Sequence, residues 1–281
     1  MTAAARVLAV CADDVGLVAG VAATVLDLAA AGRLNAASCL TSAPGWRVEA
    51  SLLARAPAPL ELGLHFNLSE GAPLSAELRR HWPTLPGLAR LLATAALRAL
   101  PLAAIAAEFG AQANAFADAL GRAPAFVDGH QHVHALPGVR DVVLDAIAAW
   151  PLRPAVRSTA RLPGPGAALK RRVIEASGGR ALERALIARG FAHNAVLLGA
   201  YGFDAVDYRA LVQRWLVAAP RAGGLLFCHP CAATAGSDAD PIAAARRREA
   251  AYLGSDGFAA DLAAAGVTVG PAWAKRSSSD G

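Results

Sequence analysis

The 281-residue chain carries a formal net charge of +5 and is 55% apolar, with much of that share in alanine. Alanine favours closely packed helices, and the length suits one large domain with its own core rather than a membrane protein. The basic runs Lys170-Arg171-Arg172, Arg246-Arg247-Arg248 and Lys275-Arg276 are short, scattered and free of interleaved aromatics. They argue against a nucleic-acid reader and for a solvated basic surface.

In chain order, Met1 to Arg6 leads into the apolar run Val7 to Ala12. That run is too short for a secretory signal and reads as a first strand. Asp13 and Asp14 follow it. Neighbours in an extended chain point to opposite sides. Both carboxylates therefore share a site only through a turn after the strand, for which Gly16 is placed. A helix over 18–31, a strand over 36–41, a helix over 46–56 and a strand over 61–66 come next, the last carrying His65. Residues 70–103 break the rhythm with Pro73, Pro83, Pro86 and Pro101 and read as an insertion. Within it, 87–107 is interrupted by Arg90, Arg98 and Pro101. It reads as a helical hairpin or lid, open to peripheral membrane contact, rather than a transmembrane span.

A helix over 104–120 leads to a strand over 125–128 and to Asp128-Gly-His130-Gln-His132-Val-His134. If this stretch is extended, its carboxylate and three imidazoles lie on one face. Such a group fits a divalent metal site better than a protein core. Further strands are expected over 154–157, ending on Arg157, and over 194–198, 224–228 and 267–270. Further helices are expected over 138–149, 166–189, 207–219, 240–253 and 257–265. Lys275 to Gly281 reads as a polar tail.

Short strands alternating with helices imply parallel strands and right-handed crossovers. Seven or eight such units without a dividing linker make an α/β chain, a (β/α) barrel in a single domain over 1–274. In a barrel the strand ends converge at the C-terminal mouth. That convergence gathers Asp13, Asp14, His65, the Asp128 group, Arg157 and His229. Asp128, His132 and His134 are candidates for orienting a ligand or the substrate. Arg157 is a candidate for steadying a carboxylate or an anion. His229, made extended by Pro230, is a candidate acid. Trp46, Phe66, Trp82, Tyr201 and Phe203 fall in expected rim or loop segments, where aromatic faces stack on sugars or simply pack. Cys11 and Cys39 read as core residues. Cys228 and Cys231 lack the second pair of a structural zinc site. Without a secretory signature, a reducing, cytoplasmic compartment is expected.

The segments Ala12-Asp13-Asp14-Val15-Gly16-Leu17, Gly63-Leu64-His65-Phe66-Asn67-Leu68 and Val127-Asp128-Gly129-His130-Gln131-His132-Val133-His134, with Val156-Arg157 and Cys228-His229-Pro230, match a known pattern in order and approximate spacing. On them the chain resembles the YdjC-like carbohydrate deacetylases, which include chitooligosaccharide deacetylase and the hopanoid-biosynthesis-associated deacetylase-like proteins. The resemblance implies an irregular (β/α) barrel related to the polysaccharide deacetylase fold. It implies Asp14, His65 and His130 as ligands of one divalent metal, zinc or magnesium, and Asp13 as the base. His229 falls at the late His-Pro position. Val15, Gly129 and Cys231 depart from the family's usual phenylalanine, serine and glycine and bear on pocket shape. The implied reaction is metal-dependent N-deacetylation of an N-acetylated amino sugar, oligosaccharide or glycolipid, with release of acetate. The alternatives are a related amide or ester hydrolase on another acylated sugar, and a sugar-binding barrel without turnover. Homo-oligomerisation is left open.

Overall fold

A computed structural model describes residues 6–56, 59–233 and 240–274, with Lys170 given by its backbone alone. The expected strands form as β1 (Arg6–Val15), β2 (Ala36–Cys39), β3 (Glu61–Phe66), β4 (Phe126–Gly129), β5 (Ala155–Val156), β6 (Leu197–Leu198), β7 (Gly224–Cys228) and β8 (Val267–Val269). Their order is β5-β4-β3-β2-β1-β7-β6, and every pair is parallel. That is a seven-strand ring read from β1 outward in both directions, with its seam between β5 and β6. The seam is joined by a bridge between Val156 and His193 and by a bond from Leu197 N to Arg161 O of 2.9 Å. The barrel is therefore irregular, as expected. β8 pairs with Arg6, Val7 and Leu8 at the entry of β1 and stays outside the ring.

Period-two alternation sorts the strands into an inside and an outside. Leu8, Val10, Leu62, Leu64, Val127 and Leu226 join the large core shared with the helices. Ala9, Cys11, Ala36, Phe126, Ala155, Leu225 and Phe227 form a smaller inner cluster, against which Trp273 packs. Gly63 shares this inner row because nothing larger fits: a Cβ there meets three ring atoms of Phe126 at 2.3–2.5 Å.

The helices that cover the ring are α1 (Val21–Ala30), α2 (Trp46–Leu53), α3 (Ala76–His81), α4 (Leu88–Ala96), α5 (Leu102–Leu120), α6 (Val139–Ala148), α7 (Ala168–Ile174), α8 (Arg180–Arg189), α9 (Tyr208–Ala218), α10 (Ala243–Leu253) and α11 (Asp256–Ala264). Two buried acids tie loop backbones to this shell. Glu49 accepts from Gly20 N and Ala22 N at the start of α1, and Glu108 accepts from Leu74 N and Ser75 N before α3. The stretch 70–103 holds α3 and α4, which bury Leu78, Leu91 and Ala95. Among the described residues no helix is long and apolar enough to cross a membrane.

The helix expected over 166–189 is interrupted. A π turn, Glu175–Gly179, separates α7 from α8, and Gly178 takes φ 148°. A Cβ on Gly178 would stand 1.9 Å from Ala135 O, and one on Gly179 would stand 2.3 Å from Thr159 O. The Gly178-Gly179 pair lets the break seat closely on two loops at the barrel mouth. The polar tail expected over 275–281 lies outside the described residues, as does Lys275-Arg276.

Gly63→Ala overfills the inner layer and should lower the unfolding free energy by about 1–3 kcal/mol. Urea denaturation followed by circular dichroism measures this, and an unchanged midpoint would contradict the packing described.

Candidate functional site

The inner rows that carry apolar residues through the barrel end in polar ones at its mouth. Ala9 and Cys11 lead to Asp13, Ala36 to Ser38, Gly63 to His65, Phe126 to Asp128, Ala155 to Arg157, and Leu225 and Phe227 to His229. Each polar residue lies two positions beyond its apolar predecessor, so one alternation dictates both core and site. Ala12 pairs with Cys228, and this register sets His229 beside Asp13. His65 pairs with Asp128 across β3 and β4.

Arg157 occupies the centre and is fully buried. Its Nη1 donates to Asp13 Oδ2 at 2.7 Å, and its Nη2 to Asp13 Oδ1 at 2.6 Å. Nη2 also lies 2.6 Å from Asp128 Oδ2. Ser38 donates to the same Asp128 oxygen at 2.6 Å. The other Asp128 oxygen accepts from His65 Nδ1 at 2.6 Å. Burial opposes charge on Asp128, yet Arg157 and His65 hold its carboxyl well below the usual carboxylate range. Two carboxylates sharing one guanidinium satisfy charges that would be costly alone in this interior.

Asp14 reaches the same mouth by a different device. The register of β1 against β2 shifts between Ala12 and Val15, and Asp14 takes φ 68°. This is a β-bulge with a left-handed aspartate, and it turns a side chain due to face outward back to the site. The turn expected after the strand thus begins within it, and Gly16 (φ 101°) continues it. Asp14 Oδ1 lies 3.0 Å from His130 Nδ1 and 3.6 Å from His65 Nε2. Donor atoms of Asp14, His65 and His130 all fall within 4.8 Å of one another, and the three side chains are buried. Burial would raise the Asp14 carboxyl, but His130, His65 and His229 hold it well below its ordinary value. Burial likewise opposes the His65 cation, but Asp128 and Asp13 overcome it and push the imidazole up to about 10.

The one-face reading of the Asp128–His134 stretch fails. β4 ends at Gly129, and His130–Ala135 curls into a short 3₁₀ turn in which Gln131 and His132 take φ 52° and 63°. The alternation is lost and the histidines separate. His130 meets Asp14. His134 is buried and donates from Nε2 to the Arg157 carbonyl at 2.8 Å, supporting Arg157 from behind. Burial lowers its imidazole to about 4. Gly129 has room for no side chain, since a Cβ would lie 2.8 Å from His134 N. His132 packs edge-on against Phe227, with ring centroids 5.5 Å apart. His229 packs edge-on against both Phe227 and Phe203. Of the expected rim aromatics, Trp46, Phe66 and Tyr201 are buried core residues, and Trp82 packs against the core. Phe203 stays at the mouth, held at φ 66°.

Three site residues escaped the sequence reading. Arg246, read as solvated, is 2% exposed, and its Nη2 donates to Asp14 Oδ2 at 2.8 Å. Its Nε donates to Asp240 at 2.8 Å. Glu249, one turn further along α10, accepts from Tyr201 Oη and from His229 N. Glu70, beyond β3, stands 3.0 Å from His130 Nε2. A signal for the first two existed: Arg246 and Glu249 share a face of α10 with buried Ala245, Ala250 and Leu253.

Arg157→Met strands two buried carboxylates and should cost about 3–5 kcal/mol in urea denaturation; a loss below about 1 kcal/mol would contradict the central ion triad. Glu249 supplies a pH test. Burial lifts its carboxyl from 4.5 to about 7, outweighing the Tyr201 and His229 bonds. The folded chain therefore holds this proton more tightly than the unfolded chain. Stability is greatest below the unfolded value and falls as pH rises through about 7, by about 3 kcal/mol in all. Glu249→Gln should flatten that fall in a stability–pH profile.

The family model described as YdjC-like protein matches residues 7–264. A carbohydrate deacetylase of Danio rerio is 32% identical over 171 residues, which cover 56% of this chain and 53% of that protein. A carbohydrate deacetylase of Homo sapiens is 36% identical over 153 residues, covering 52% and 46%. A chitooligosaccharide deacetylase of Enterobacter sp. (strain 638) is 34% identical over 146 residues, covering 49% and 54%. The chain thus spans about half the length of the curated relatives it matches. The fold is similar to that of an Enterococcus faecalis protein named for a proposed cleavage of cellobiose phosphate, at TM-score 0.72 and 16% identity, covering 96% of this chain and 98% of that one. With the family model matched along nearly its whole length, this chain belongs to the YdjC-like family.

Proposed function

We propose that this chain is a metal-dependent hydrolase that removes the acetyl group from an N-acetylated amino sugar, free, in an oligosaccharide or on a lipid. The observation that carries the reading is the buried convergence of Asp14, His65 and His130, with donor atoms within 4.8 Å. One carboxylate and two imidazoles suit zinc or another borderline divalent ion, and magnesium less well. His65 is oriented as a ligand, because Asp128 holds its Nδ1 proton and turns Nε2 toward Asp14. Arg246 engages Asp14 Oδ2 and leaves Oδ1 toward the imidazoles. The second group of donors, Cys11, Asp13 and Asp128, already encloses the Arg157 guanidinium and does not fit a metal.

Asp14, His65 and His130 would hold a divalent ion, whose Lewis acidity would be available to an amide carbonyl and to a water. The remaining steps fall to the chain. Arg157 donates to both oxygens of Asp13 and fixes its orientation, using one lone pair on each oxygen and leaving others to accept a proton. Asp13 takes the proton of the attacking water. His229, beside Asp13 by the β1–β7 register, gives a proton to the amine as the C–N bond breaks. The products are acetate and a free amino sugar. Four unlinked, buried cysteines support a reducing, cytoplasmic setting.

Chelated protein should release no acetate from N-acetylated sugars and recover release on addition of zinc, manganese, cobalt or magnesium. His65→Ala should lower the restored rate about a hundredfold or more. Stoichiometric metal binding without release from any N-acetylated sugar would instead favour another acyl group or a binding role.

A further inference from the structure

Beyond the mouth, Arg172, Arg180 and Arg184 are exposed along α7 and α8. Six cationic and two acidic residues lie between 170 and 189. On α7, Leu169, Arg172 and Val173 are exposed at positions i, i+3 and i+4, so they share one helical face. Leu169 is 76% exposed and Val173 is 47% exposed. The π turn carries the face onward. Arg172, Ala176, Arg180 and Arg184 line one shallow depression of about 540 Å³ together with Glu175. An adjoining depression of about 600 Å³ shares Arg180 and Arg184 and adds Arg161.

The acids of this face are already engaged. Glu175 accepts from Leu162 N at 3.0 Å, and Glu183 lies 3.5 Å from Arg161. Among the described residues no carboxylate forms an ion pair with Arg172, Arg180 or Arg184. Exposed aliphatic side chains interleaved with unneutralised guanidinium groups are the pattern of a helix lying in a bilayer interface, with apolar tips among the acyl boundary and cations at the head groups. A nucleic-acid groove would have no use for Leu169 and Val173, and this face carries no aromatic platform.

We propose that the α7–α8 face docks this chain onto an anionic bilayer surface. The reverse side of the same segment rests on the barrel mouth through Gly178 at Ala135 and Gly179 at Thr159. A bilayer on the outer side would therefore lie next to the entrance of the Asp14 site. The segment 87–107, read from sequence as a hairpin or lid open to peripheral membrane contact, turns Leu91, Ala95 and Ile105 into the core.

The test uses the full chain and reads binding without turnover, so it stands whatever reaction the site performs. Co-sedimentation is measured with phosphatidylcholine vesicles and with vesicles that also contain phosphatidylglycerol, at about 0.1 M salt. The wild-type chain should bind the anionic vesicles and not the neutral ones. Arg180→Glu with Arg184→Glu should weaken that binding at least about twentyfold. Leu169→Ala with Val173→Ala should weaken it severalfold. All four positions are exposed, and unchanged circular dichroism confirms folded variants. Binding that ignores phosphatidylglycerol, no vesicle binding at all, wild-type binding by the double glutamate variant, or displacement from vesicles by a short oligonucleotide would each overturn the proposal.

Discussion

The buried guanidinium of Arg157 is the constraint on which the mouth of this barrel depends. It joins Asp13 of β1 to Asp128 of β4 from a position just beyond β5. The ends of β1, β4 and β5 are thereby tied at one point. The same residues also hold others in place. Asp128 turns its second oxygen to His65, and the Arg157 backbone holds His134. A fixed cation also lies between the two acids, Asp13 and Asp128. Cys11, Asp13 and Asp128 resemble a donor set by proximity, but their charge is already met. Asp14, by contrast, meets its arginine, Arg246, through Oδ2 alone, and its Oδ1 faces His65 and His130.

Two adjacent aspartates thereby acquire different environments. Asp13 follows the inner row of β1 and meets an arginine through both oxygens. Asp14 belongs by parity to the outer row, and only its left-handed backbone brings it to the mouth. There it faces imidazoles through Oδ1 and Arg246 through Oδ2. Left-handed non-glycine residues cost backbone energy and tend to collect at functional sites. Asp14, Gln131, His132 and Phe203 all fit that tendency, because each lies in or beside the mouth. The fifth left-handed non-glycine residue among those described, Arg98, lies apart from them in the turn between α4 and α5.

That distinction also explains what the sequence reveals and what it hides. Strands are legible because their apolar runs are short and punctuated, and all eight form where expected. Residues placed by simple alternation, such as Asp13, His65, Asp128 and Arg157, are legible as strand ends that converge. His130, His132 and His134 look like the same pattern but are not: two left-handed residues curl the chain, and period two no longer applies. Arg246 and Glu249 are hidden for another reason. Their run of three arginines suggests solvent, and only the buried face of α10 distinguishes Arg246 from its neighbours. Glu70 lies in a loop, where no periodicity marks it. The π turn at Glu175–Gly179 is foreshadowed by Gly178-Gly179, but its use, close seating against Ala135, is visible only in three dimensions.

The separation of Asp13 from Asp14 is the feature on which the proposed chemistry most directly rests. Isothermal titration of zinc into chelated wild-type protein, Asp13→Asn and Asp14→Asn would decide it, with acetate release followed in parallel. The predicted result is one ion per chain for wild type and Asp13→Asn, with turnover lost in the variant, and strongly weakened zinc binding for Asp14→Asn. Loss of zinc binding in Asp13→Asn with retention in Asp14→Asn would contradict the division of labour between these two carboxylates.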